Sequence, residues 1–126
     1  MADDAATQPQ FRNQRSDDFT SAYSNNVSFE ASVWDLKIIF GELDQSAGVI
    51  EQHTAITVPW AIAKLAVYYL GTQIAAHEVM NGKIAIPQSV MAPPPPPLTG
   101  EQRADPNMKK VYEEFTRLYE AFIKGV

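Results

Sequence analysis

The chain has 126 residues, 45% of them apolar and 10% aromatic, which supports one domain with a modest core and excludes a wholly disordered polymer. A net charge of −5 and an isoelectric point of about 4.9 have the wrong sign for a protein held to phosphate backbones. No local patch reverses that balance: residues 21–92 carry six acids against three lysines, and residues 93–126 carry five of each sign.

The absence of cysteine removes disulfides and thiolate chemistry and fits a reducing compartment. The opening residues MADDAATQPQ are acidic and lack an apolar run, so no secretory signal is expected and the cytoplasm is the expected location. Residues 1–20 are polar, mixed in charge and without periodicity, the pattern of a disordered arm.

From Tyr23 the period becomes two. Val27, Phe29 and Ala31 alternate with Ser28, Glu30 and Ser32, which describes a half-buried strand. In WDLKIIFGEL, Leu36, Ile38 and Phe40 point one way and Lys37 and Ile39 the other, giving a second strand. The link at Ser32–Asp35 is short enough only for an antiparallel hairpin. GELDQSAG reads as the next turn, and Val49–Val58 as a third strand, with Ile50, Gln52, Thr54, Ile56 and Val58 on one face and Glu51, His53, Ala55 and Thr57 on the other.

A helix follows over residues 58–82, with Pro59 at its first position and Gly82 as its stop. Ile62, Leu65, Ala66, Tyr69, Gln73, Ala76 and Met80 fall on one face, and Trp60, Val67, Leu70, Ile74 and Ala75 on the opposite side. A helix so apolar around its circumference needs cover on more than one side, and a chain of this length has little material to supply it. The apolar run Ala55–Ala76 is long enough for a bilayer. Lys64 near its middle, at a cost of about 2.5–3.5 kcal/mol, and Thr72 and Gln73 argue against a membrane span.

Residues 83–100 read as an extended segment, and Pro93–Pro97 as a polyproline II spacer of roughly 15 Å. Asp105-Pro106 then opens a second helix in cap-then-proline order. Its stripe of Met108, Val111, Tyr112, Phe115, Leu118, Tyr119 and Phe122 opposes Lys109, Lys110, Glu113, Glu114, Arg117 and Glu120. Such a stripe is stable only when buried, on its own core, a copy of itself or another protein, and the proline run is expected to keep it from folding back tightly on the long helix.

The order Tyr23-x-Asn25, Ser32-x-x-Asp35-Leu36, Phe40-Gly41, Thr57-x-Pro59, Ala63-Lys64-Leu65 and Asn81-Gly82-x-Ile84 resembles a family of short prokaryotic proteins known only as a domain of unknown function. The resemblance covers roughly residues 22–90. It implies a small sheet-plus-helix unit and brings no activity and no catalytic residue with it.

No residue set points to chemistry. His53, His77, Glu51 and Glu78 are the only conceivable metal ligands, and they lack an i, i+4 pair. Asp35 is better placed to accept backbone N–H bonds in a turn than to act as a base, and Lys64 to cover apolar surface with its stem than to act as a nucleophile. There is no phosphate loop and no HExxH motif.

The sequence therefore describes an α+β protein: a disordered arm (1–20), a core (21–92) made of a three-stranded antiparallel meander packed on one long helix, a proline-rich linker (93–103) and a C-terminal amphipathic helix (104–125). The function it favours is a non-enzymatic, homo-oligomeric interaction module that uses no cofactor and no metal. Its partner interface is expected at Trp60, Val67, Leu70, Ile74, Val111, Phe115, Leu118 and Phe122. The partner is a second copy, with another protein reached through the C-terminal helix, and neither nucleic acid nor membrane. Two alternatives compete: a single-stranded nucleic-acid binder stacking bases on Phe29 or Trp34 of an open sheet face, and an accessory subunit of a larger complex.

Overall fold

The computed structural model describes residues 10–126. Nine residues of the expected N-terminal arm lie outside that range. In the remainder, Phe19 N–H donates to the Ser16 carbonyl at 3.0 Å, and the Arg15 guanidinium sits 4.6 Å from the centre of the Phe19 ring.

The meander forms as the alternation requires. Strands β1 (Asn26–Ala31), β2 (Asp35–Asp44) and β3 (Val49–Pro59) pair antiparallel in the order β1-β2-β3. The first hairpin is closed by side chains rather than by glycine. Ser32 N–H donates to the Asp35 carbonyl at 2.9 Å, the Ser32 hydroxyl donates to the Asp35 carboxylate at 3.0 Å, and the same hydroxyl accepts from the N–H groups of Trp34 and Asp35. The second turn is built on Asp44, whose Oδ1 accepts from the Ser46 hydroxyl at 2.7 Å and from the Ser46 and Ala47 N–H groups; Gly48 supplies the positive φ of 65°. Those donors, the Ser46 hydroxyl first, hold the Asp44 carboxyl below its ordinary value of 3.8.

Two readings of the strands change. GELD belongs to β2 rather than to the turn, because Gly41 is a strand residue at a β-bulge, not a breaker. Phe40 faces Thr54 but Gly41 faces Gln52, so His53 is the extra residue. A Cβ on Gly41 would lie 2.7 Å from the Glu51 carbonyl oxygen, which is why only glycine fits. Gly41 is also the one buried residue among those described. The bulge inverts the alternation of β3, so Ile50 and Gln52 share a face with Ile39 and Leu43, not with Ile56 as the uninterrupted period suggests.

The sheet therefore has an apolar face, with Val27, Phe29, Ala31, Leu36, Ile38, Phe40, Thr54, Ile56 and Val58, and a polar face. On the polar face Lys37 pairs with Glu30 at 3.7 Å, and the Gln52 amide donates to the Ser28 hydroxyl at 3.4 Å.

Helix α1 (Trp60–Asn81) follows β3 without a loop, which leaves Pro59 as the last strand residue rather than the first helical one. The Trp60 indole N–H donates to the Ser32 carbonyl at 3.0 Å and ties the start of the helix to the first hairpin. Gly82, at φ 90°, ends α1, and its N–H donates to the Glu78 carbonyl at 2.9 Å.

The chain divides into two compact units, the first ending at Lys64 and the second running Leu65–Val126, so the division falls inside α1 rather than at the prolines. In the second unit the stretch expected to be wholly extended holds a 3-10 turn (Gln88–Val90) and a short helix α2 (Gly100–Arg103). Thr99 and Gln102 cap α2 reciprocally. Helix α3 (Pro106–Gly125) begins at Asp105, whose carboxylate accepts the Asn107 N–H at 2.9 Å. The α+β class and the element order match the sequence. A buried core does not follow: no apolar side chain is buried among the described residues.

Candidate interaction surface

Among the described residues three apolar surfaces stand open. The first is the apolar face of the sheet, where Val27, Phe29 and Ile56 remain exposed. Beside it the N-terminal segment is clipped across the bulge. The Ser24 hydroxyl donates to the Gly41 carbonyl at 2.8 Å, the Asn25 side-chain carbonyl accepts the Leu43 N–H at 2.7 Å, and His53 Nε2–H donates to the Tyr23 carbonyl at 2.9 Å. These bonds give Tyr23-x-Asn25 and Ser32-x-x-Asp35 structural duties as clip and turn. The tip of the first hairpin, Val33 and Trp34, projects with about 85% and 84% of its side-chain surface open.

The second surface is α1 itself. Val67 is 72% exposed and Leu70 61%, on the side the sequence marked as an interface; Leu65 and Tyr69, on the opposite side, are exposed too. The interface expected on one stripe therefore extends around the helix. No acidic residue lies in its first turn and no basic residue in its last, so its ends gain nothing from the helix dipole.

The third surface is the stripe of α3, which the proline run partly covers. Pro95–Pro97 and Leu98 border a cleft of about 160 Å³ together with Met108, Val111, Tyr112 and Phe115. The prolines thus line the flank of α3 instead of only spacing it. The far end of α3 and the end of α1 border a common cleft of about 290 Å³, lined by Phe122 and Ala121 with Ile74, Glu78, Ile84 and Ile86. Among the described residues α3 does not pack along the length of α1, and the loop 82–86 lines the cleft at their ends. Glu78 fixes that loop by accepting the Ile84 N–H at 2.9 Å.

Of the eight residues expected at the interface, Ile74 and Phe122 come together in the second cleft, and Val111 and Phe115 line the first. Trp60, Val67, Leu70 and Leu118 line neither, and all four are exposed. The sheet residues Phe29, Ile56 and Val27 were not on that list, although their alternation was visible.

The histidines and Asp35 are each held in local hydrogen bonds. His53 is engaged by Tyr23 and by the Thr54 hydroxyl at 2.7 Å, His77 lies beside Asn81, and no group of three metal-ligating side chains forms among the described residues. Asp35 is held in its turn. No described helix is long and apolar enough to cross a membrane. No family model matches the chain, and no curated protein or solved structure is significantly similar to it.

Proposed function

We propose that this protein is a cytoplasmic, non-enzymatic assembly module whose folded unit is an oligomer of identical chains. The observation that carries the reading is α1: twenty-two residues, apolar on all sides, none of them buried. Helices of that composition are found inside cores, and exposed apolar patches beyond a few hundred Å² mark association sites.

The acidic charge balance favours a protein partner over nucleic acid. Sedimentation equilibrium of the full chain at micromolar concentration tests the proposal: a dimer or larger species is expected, and a stable monodisperse monomer contradicts it.

A further inference from the structure

We infer that the second copy joins edge to edge at β3, with Ile56 on the twofold axis, so that two meanders form one continuous six-stranded sheet. The inference rests on the oligomeric reading above and specifies its geometry.

Both edges of the sheet are open, and they differ in how they are protected. β1 is six residues long and carries Glu30, whose charge and ion pair with Lys37 discourage pairing. β3 is eleven residues long, and its outer edge finds no backbone partner among the described residues. Within β3 the run Thr54-Ala55-Ile56-Thr57-Val58 has no charge, no proline and no bulge, and is rich in β-branched residues. An unprotected edge of that kind is a template for another strand.

The limits of the run set the register. The bulge at His53 twists the strand away on one side, and α1 begins at Trp60 on the other. The straight segment between them is centred on Ile56. Antiparallel pairing about that centre sets Thr54 against Val58 of the partner subunit and Ala55 against the partner's Thr57. Opposed residues share a face, so the apolar faces of the two sheets become one apolar surface. The partner is a second copy rather than a foreign strand because the same uncharged, β-branched run serves as both template and added strand, so a twofold axis pairs the open β3 edge of each chain with that of the other.

The chain has no cysteine, so single cysteines report proximity without background. Opposed residues stand about 4.5–5.5 Å apart between Cα atoms, within the disulfide range. The test is mild oxidation of full-length Ile56→Cys, of Phe29→Cys on the β1 edge, and of a mixture of Thr54→Cys with Val58→Cys, each at a concentration where the wild type has been sedimented. Ile56→Cys is expected to form covalent dimer at least about tenfold faster than Phe29→Cys, and the mixture to yield the mixed dimer. A wild-type oligomer in which Ile56→Cys does not cross-link, or in which Phe29→Cys is faster, overturns the β3 pairing and leaves the oligomer standing. A wild-type monomer overturns both.

Discussion

The two long helices of this molecule solve the same problem differently. Helix α3 carries its own support: Asp105 caps it, Arg117 pairs with Glu114 at 2.6 Å, and the prolines lie along one flank of its stripe. Helix α1 has no acidic residue in its first turn and no basic residue in its last, and its large apolar side chains stay exposed along its length, Ile74 at the cleft with Phe122 included. A capped, amphipathic helix gains part of its stability locally, whereas an apolar helix is stabilised by what covers it. In the proposed assembly, α3 belongs to the chain itself and α1 to the interface.

The largest effect should come from breaking the cover of α1. Leu70→Asp places a carboxylate in the proposed interface and is expected to weaken association by more than about 2 kcal/mol, over tenfold, as read by sedimentation. Unchanged association would mean that α1 faces water in the working protein. The corresponding change on α3, Phe115→Asp, should act locally. It is expected to raise amide hydrogen exchange in α3 and along the proline run while leaving the strands protected, because the stripe it disrupts is bordered by Pro95–Pro97. Loss of protection across β1–β3 would erase the contrast between the helices.

Within the sheet, Gly41→Ala forces a Cβ against the Glu51 carbonyl and is expected to destabilise the meander by about 1–3 kcal/mol in chemical denaturation. A neutral result would show that the bulge relaxes freely. Asp105→Ala removes the α3 cap and should cost about 1 kcal/mol, seen as fraying in the first turn of that helix.

The smallest effect concerns the Asp44 turn. Its carboxyl is held below the ordinary 3.8, so the stabilisation it gives is present above that pH and is lost as the pH falls through the lower folded-state value. The Ser46 and Ala47 amide shifts should titrate with a midpoint below 3.8. A midpoint at or above 3.8 would remove the turn's role.

Much of the fold was legible because local chemistry decides it. The alternation around Val27–Ala31 and Leu36–Phe40, the Ser32–Asp35 turn, Gly82 as a stop and Asp105-Pro106 as a start each act over a few residues. The bulge was not legible, since the alternation of Ile50, Gln52 and Thr54 runs unbroken through it and only the backbone contact at Gly41 reveals the extra residue. The prolines were read as a spacer because polyproline stiffness is local, while their lying beside Tyr112 and Phe115 is a tertiary matter. The stripe from Trp60 to Ile74 was visible in the spacing; that the opposite side of α1 is equally open was not, because a pattern cannot say which apolar face a chain leaves uncovered.

The measurement that bears most directly on the central claim is hydrogen exchange of α1 followed as the full-length protein is diluted through its association range. If the helix is covered by a second chain, protection of amides in residues 60–81 should fall in step with dissociation measured by sedimentation, while α3 keeps its protection. A monomer whose α1 amides stay protected at every dilution would contradict the account.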